Sequence, residues 1–284
     1  EAYGLFATHG EGALYLCAEV RLLYCALCCV NLADHTGDAA QRLFSYSAMS
    51  YSASVVPLPS VSALYLRRAS SLRQSLPNTH AEYEFLRLRC ATYINETRFA
   101  EALKDSEQAA RVARHLGSEK GILFTTQQRL WIGYMRDDLL AERSRVEDFL
   151  DLAQRARHEQ FIAWGQAHAG TLALAAGQPE LAYTLLSQAL VGGRHVHDLF
   201  CEMHALCVRA VAQRARHDWE SARGDADAAL GLYEATPLVA YGLVPALNHL
   251  VDACFALVAE APPVIRAAQG ARLARALRFQ ARIA

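Results

Sequence analysis

Small residues recur along this chain at intervals of about 40 positions. Three of these small residues are followed seven positions later by a second alanine. Seven residues are two turns of an α-helix, so both members of such a pair lie on one face, where small side chains let two helices approach closely. A repeat of this length built from helix pairs predicts an α-solenoid, a class of protein that presents binding surfaces. The recurring residues, separated by 39, 39, 41 and 40 positions, are Ala63, Ala102, Ala141, Ala182 and Ala222.

Composition and charge narrow the class of partner. Of the 284 residues, 53% are hydrophobic and 20% charged, which is enough apolar material for a continuous core. The net charge is −1, so nothing in the charge balance favours nucleic acid or an anionic membrane. The longest uncharged run, 43–66, contains seven serines and two prolines and is a poor membrane span. We expect a cytoplasmic protein with neither nucleic acid nor membrane as its partner.

Cysteine usage indicates a reducing compartment. Three cysteines form a C-x-x-C-C run at Cys25, Cys28 and Cys29, inside an apolar stretch and away from a helix start, so core packing is a better interpretation than redox chemistry. Reduced, buried thiols are favoured over a disulfide framework. The eight cysteines stand at positions 17, 25, 28, 29, 90, 201, 207 and 254.

Glycine, proline and short polar groups divide the chain into helices of roughly 15 to 20 residues. The first is expected over about 12–34, with Gly37 just past its end. Thr79 and Glu82 form the pattern of a capping box that opens a later helix. Another helix is expected over about 239–259. No β-alternation of any length interrupts the pattern.

Two inter-helix segments resemble tetratricopeptide repeats. In 91–102 and 217–222, an aromatic residue (Phe99 and Trp219) stands three positions before the small residue of the next helix. The match is good over 80–233, although the copy at Ala141 departs from it, with Asp138 at the aromatic position. The resemblance implies an all-α fold, a right-handed α-α superhelix of about six helical hairpins forming a single TPR-like solenoid over 1–284.

A second resemblance covers the whole chain. The run 31–37, the degenerate hairpins and the closing 274–278 are similar to the helical C-terminal region of bacterial signalling proteins that carry a STAND-type ATPase, often with a class III nucleotide cyclase or a kinase domain. This implies a regulatory segment of a longer protein, and a first residue other than Met fits that expectation. Any ATPase or cyclase chemistry would then lie outside this chain.

Family resemblance also supplies candidate binding residues. In tetratricopeptide arrays, the first helix of each hairpin lines a concave groove. This mixed polar and aromatic lining suits a peptide or protein segment, although some of its members could instead be simply solvated or buried. Carried onto this sequence, the groove positions are Glu84, Arg87, Trp164, Thr171, His204, Cys207 and Arg214.

Histidines and cysteines at 195–207 raise a metal-binding alternative. On a helix His197, Cys201 and His204 would stand at i, i+4 and i+7, a stripe that could supply three zinc ligands. The other interpretation buries the cysteines and leaves the histidines on an edge, and no fourth ligand is marked. Neither a phosphate-binding loop nor a nucleophile motif is present.

These observations predict a non-catalytic protein-interaction or sensory-regulatory module that needs no cofactor or metal. Its expected partner is a protein or peptide segment, including an ATPase or output domain of the same polypeptide. A stand-alone scaffold or adaptor is the alternative. A metal-dependent enzyme that uses 195–207 comes third.

Overall fold

The computed structural model describes residues 2–236 and 243–283, and within these ranges it contains helices and no strand. This confirms the all-α prediction. The helix expected over about 239–259 is α13, and positions 239–242 lie outside the described residues. No described helix is both long and apolar enough to cross a bilayer. In chain order the α-helices are α1 (Ala2–Tyr15), α2 (Glu19–Thr36), α3 (Ala39–Val55), α4 (Pro59–Arg73), α5 (His80–Asn95), α6 (Phe99–His115), α7 (Glu119–Met135), α8 (Arg143–Arg155), α9 (Glu159–Ala175), α10 (Pro179–His195), α11 (Leu199–Ala215), α12 (Trp219–Ala235), α13 (Val244–Ala259) and α14 (Pro263–Ile283).

The chain divides into two compact units, residues 1–132 and 133–284. In the first unit, α1 packs on α2, α3 packs on both α4 and α5, and α5 packs on α6. In the second unit, α9 packs on α8, α10 and α11, while α11 packs on α12 and α13. Each unit is therefore a stack of helical hairpins, as expected of a helical-repeat protein. The prediction of one array over 1–284 stays a prediction.

A left-handed residue ends most of the helices. At Arg157, for example, φ is 51°, and the following residue, His158, donates its N–H to the carbonyl of Ala153 at 3.1 Å. This is the Schellman arrangement, which satisfies carbonyls that the end of a helix would otherwise leave without a donor. Left-handed residues spaced by 20 or 60 positions are Cys17, Gly37, Thr97, Gly117, Asp137, Arg157, Gly177, His197 and His217.

This spacing sets the length of the structural repeat. One helix with its turn occupies 20 residues, and six of the helices from α6 to α12 have 17 residues each. Residues 40 positions apart therefore occupy equivalent places in successive hairpins.

The exact register corrects two of the predicted small-residue positions. Ala63 is only partly buried and Ala141 is exposed, because the contact in α4 is made one residue earlier, and the start of α8 is preceded by a short 3-10 helix, Leu139–Glu142. The buried small residues that stand 40 or 80 positions apart are Ser62, Ala102, Ala182 and Ala222.

The N-terminal helix expected over about 12–34 is two helices. Leu16–Ala18 form the turn between α1 and α2, where Cys17 has φ 49° and Ala18 donates to the carbonyl of Ala13 at 2.8 Å. No glycine or proline marks this break, so composition gave no signal there. The described chain therefore holds seven consecutive helix pairs, one more than expected.

An ion pair inside the hairpin recurs in both units. Arg89 of α5 forms two hydrogen bonds of 2.6 Å to the carboxylate of Asp105 on α6. Arg209 of α11 does the same with Asp225 on α12, at 2.7 Å for each bond. Both arginines stand 16 residues before their partners, and the two pairs are 120 residues, or three repeats, apart. Bidentate geometry and a largely buried carboxylate make each pair a specific connection between the two helices of its hairpin.

Replacing a left-handed residue tests the turn. We expect Arg157→Gly to raise the free energy of unfolding by about 0.5–1 kcal/mol, because relief of left-handed strain exceeds the added freedom of the unfolded chain. Gly177→Ala should have the opposite sign, since Gly177 has φ 73° and no atom lies within 4 Å of a Cβ added there. Urea unfolding followed by circular dichroism measures both. Destabilisation by Arg157→Gly would contradict the account.

Candidate functional site

The first unit contains a cavity of about 310 Å³ formed by α1, α2, α3, α5 and α7. Aromatic and aliphatic side chains make up most of its wall, and thiols of α2 complete one side. Two acidic side chains, an arginine, a lysine and a histidine also line it. Its wall includes Ala7, Glu11, Tyr15, Leu22, Cys25, Cys29, Phe44, Tyr51, Glu84, Arg87, Lys120 and Phe124.

Two of the predicted groove residues, Glu84 and Arg87, lie in this cavity. They stand one turn apart on α5, and Arg87 donates through Nε and Nη2 to Oε2 of Glu84, at 2.9 and 2.6 Å. Burial lowers the pKa of the Arg87 guanidinium, but Glu84, Tyr83 and Tyr15 raise it to a net value above its ordinary one. Arg87 is therefore a permanent cation whose charge is balanced by its neighbour.

A second ion pair lines the same cavity. Nζ of Lys120 on α7 lies 3.3 Å from Oε1 of Glu11 on α1, and both side chains are about half exposed. The ring of Phe124 lies beneath both cations, 5.0 Å from Cζ of Arg87 and 5.5 Å from Nζ of Lys120. Exposed pairs of this kind contribute little to stability and exchange partners readily.

This arrangement resembles a ligand-binding site in its construction. A concave, mostly apolar wall with a few fixed polar groups is the usual construction of a ligand site. The wall favours an apolar or aromatic side chain, and the ion pairs orient polar atoms around it.

Four predicted groove residues belong instead to the interior of the second unit. Trp164, Thr171, His204 and Cys207 are each at most 3% exposed, which corrects the prediction that they line an open groove. Trp164 donates through Nε1 to Asp198 at 2.9 Å, and Thr171 Oγ1 lies 3.1 Å from His204 Nε2. The seventh, Arg214, is partly exposed and lies 3.3 Å from the carboxylate of Asp252 on α13.

Helices α5 and α9 differ at an equivalent position of the repeat. Phe44, Glu84, Phe124, Trp164 and His204 are spaced by 40, so each occupies the same position of its hairpin. The first three line the cavity of the first unit. In the second unit, the side chains at the same position are packed against other rings. The ring of His204, for example, lies 5.4 Å from the ring of Tyr134 and 5.9 Å from that of Trp164, measured between centroids.

Histidines and cysteines at 195–207 do not form the expected ligand stripe. His197 has φ 55° and lies in the turn before α11, so it is not in helical register with Cys201 and His204. His197 is exposed, whereas the other two are buried. Among the described residues, no three His, Cys, Asp or Glu side chains are grouped as a metal site would require.

Asp198 acts as a structural connection between α9 and α11. It caps α11 by accepting from the N–H of Cys201 at 2.9 Å and also accepts from Gln160 and Trp164, both at 2.9 Å. Burial raises the pKa of this carboxyl, and these three donors lower it. An N-cap aspartate was predictable from sequence, but its bonds to α9 were not.

Sequence reasoning missed most of the cavity wall, including Tyr51, Phe124 and the thiols of Cys25 and Cys29. The 40-residue spacing of Phe44, Glu84 and Phe124 was the available signal. To use this signal, one must know the exact register of the repeat. The small residues alone gave that register with an error of one position in two copies. All eight cysteines are free, and seven are buried, as their surroundings in sequence predicted.

Buried histidines of the second unit are held in the neutral form. Burial lowers the pKa of His168 to about 3. It also lowers the pKa of His204, with smaller contributions from His168 and His249, and it lowers the pKa of His249. The rings of His168 and His204 lie 6.3 Å apart, so protonation of one would also oppose protonation of the other.

No protein-family model matches this sequence, and no curated protein matches it. Among solved structures, the chain is similar to the crystal structure of BtubC (BKLC) from P. vanneervenii, with a TM-score of 0.58 and 17% identity. The match covers 77% of this chain and 92% of that one. At this identity the likeness shows the fold alone, a helical-repeat fold.

Acid should destabilise the protein through these histidines. Below pH 6.5 the unfolded chain binds protons that the folded His168 does not, so stability falls as pH drops toward 3. We expect a loss of about 2 kcal/mol between pH 7 and pH 5 from His168 alone. Urea unfolding across this range should show a shallower slope for His168→Leu, whereas His115→Leu, on the exposed surface, should leave it unchanged. An unaltered slope in His168→Leu would refute the assignment.

Proposed function

We propose that this chain is a non-catalytic protein-interaction module that binds a peptide segment in the cavity of the first unit. One observation carries the proposal: five helices converge on a cavity with an aromatic wall and two ion pairs. Concave, mostly apolar sites with a few polar groups are typical of ligand binding.

The size of the cavity supports a peptide as the ligand class. At about 310 Å³ it accommodates one or two side chains of a longer chain and not a large cofactor. Glu84 with Arg87, and Glu11 with Lys120, supply donors and acceptors of both signs. Mixed polar and aromatic surfaces of this composition are common where proteins bind peptides.

Regulation of an attached ATPase or output domain is the biological role we propose for this binding. It is supported by the resemblance of 31–37 and 274–278 to the helical regions of STAND-type signalling proteins. Ligand binding at one hairpin would bias the packing of its neighbours, because each hairpin contacts mainly those adjacent in sequence. A stand-alone scaffold or adaptor is the alternative.

The coding sequence that precedes Glu1 separates the two roles. We expect a nucleotide-binding ATPase motif there if the chain regulates a domain of the same polypeptide. A start codon immediately before Glu1 would contradict the regulatory role and leave the scaffold. Sequencing the parent gene decides between them.

Filling the cavity tests peptide binding. Ala7 lines it from α1, and Ala7→Trp should place an indole there. Selection of a random dodecapeptide phage library on the wild-type protein should give clones whose binding falls at least about tenfold on the variant, since a filled pocket loses its buried contacts.

Ala267→Trp is the matched control, because Ala267 is an exposed residue of a helix in the second unit. Circular dichroism should show both variants folded. Equal binding of the clones to Ala7→Trp and to wild type would remove the cavity as the site. Failure to select any clone would refute peptide binding altogether.

A further inference from the structure

The cavity of the first unit differs in chemistry between its inner wall and its rim. At the rim lie Glu11 and Lys120, whose side chains are about half exposed. The inner wall is formed by the least exposed of the lining residues, which carry aromatic rings and thiols. A ligand group that passes the rim therefore meets rings and sulfur atoms. These inner residues, each at most 4% exposed, are Tyr51, Tyr83, Cys25 and Cys29.

The two acidic side chains of the wall are each paired with a cation of the same wall. Arg87 donates two hydrogen bonds to Glu84, and Nζ of Lys120 lies 3.3 Å from Glu11. A charged ligand group would have to displace one member of a pair and leave the other without its partner in the cavity, which opposes binding. A neutral ligand group leaves both pairs intact.

Aromatic residues line the cavity from four of its five helices. A further ring placed among them gains edge-to-face or offset-stacked contacts that an aliphatic side chain cannot make. Each such contact strengthens binding about two- to tenfold beyond the effect of the buried area. The wall therefore favours an aromatic group over an aliphatic one. The aromatic residues include Tyr15 of α1, Phe44 and Tyr51 of α3, Tyr83 of α5 and Phe124 of α7.

The volume of the cavity suits one such ring. An apolar cavity of about 150 Å³ is already large enough to bind benzene, and this cavity has about 310 Å³. It therefore has room for a phenyl, phenol or indole group together with the Cβ atom that joins the group to a peptide backbone.

We infer that the peptide bound in this cavity inserts one uncharged aromatic side chain, a phenylalanine, tyrosine or tryptophan, which packs against the ring of Tyr51 on the inner wall. This inference rests on the proposed peptide binding and narrows its ligand class. The backbone on either side of this anchor would pass the rim. There Nζ of Lys120 can donate a hydrogen bond to it and the carboxylate of Glu11 can accept one.

Replacing the anchor of a selected peptide tests the inference. Dodecapeptide clones are selected on the wild-type protein, and those that lose binding on Ala7→Trp are kept; they should share an aromatic residue at one position. The best peptide is synthesised with that residue and with leucine, glutamate or lysine in its place, and each version is titrated by fluorescence anisotropy. Leucine should weaken binding at least about fivefold, and glutamate and lysine each at least about tenfold.

A double-mutant cycle locates the anchor. The factor by which leucine weakens the peptide should fall at least about twofold on Tyr51→Leu, because the ring beside the anchor is gone. Tyr51→Phe keeps the ring and should keep the factor. Tyr183→Leu is the matched control, since Tyr183 is a partly exposed tyrosine of the second unit, and should also leave the factor unchanged. Circular dichroism shows whether each variant is folded, and the wild-type titrations decide the ligand class even if Tyr51→Leu is not.

Three results overturn the inference in different ways. A peptide that loses binding on Ala7→Trp but accepts leucine, glutamate or lysine as well as the aromatic residue refutes the aromatic anchor and leaves peptide binding intact. An equal factor on wild type and on folded Tyr51→Leu refutes the contact with Tyr51. A library that gives no binding clone refutes both the inference and the proposed function.

Discussion

The hydrogen bond that closes most of the helices across a left-handed residue sets the geometry on which both units depend. Because these turns are spaced by 20 or 60 positions, six of the helices from α6 to α12 have 17 residues each, and a side chain reappears on the same face 40 positions later. Most residues that adopt this conformation here are not glycine. Their backbone strain is offset by the carbonyls that the turn satisfies and by the helix packing that it permits.

Equivalent positions then serve two purposes. Phe44, Glu84 and Phe124 border a cavity, whereas Trp164 and His204 at the same place are covered by other rings. Repeat position alone therefore does not decide whether a side chain borders a cavity or is packed in the interior. The same register also repeats one contact. The bidentate pair of Arg89 with Asp105 recurs three repeats later as the pair of Arg209 with Asp225, with nearly the same distances.

The parts of the fold that could be predicted are those that short sequence patterns determine. Thr79 caps its helix as expected, with its hydroxyl accepting from the N–H of Glu82 at 3.1 Å, while the Glu82 carboxylate accepts from the N–H of Asn78. Gly37 is left-handed as predicted. The break at Cys17 was missed because neither glycine nor proline marks it. Glu84 and Arg87 were placed in one groove by the tetratricopeptide resemblance, and both do line the cavity. The burial of His204 was not predictable, since it depends on Tyr134, distant in sequence.

Two buried carboxylates, one in each unit, are held in different ways. In the second unit, Asp198 accepts three hydrogen bonds, so its carboxylate is stabilised within the interior. Glu19 in the first unit is similarly enclosed but lacks donors in the described chain. A stack of hairpins tolerates such a group only where the free energy of folding leaves a margin, because an unsatisfied carboxylate opposes folding.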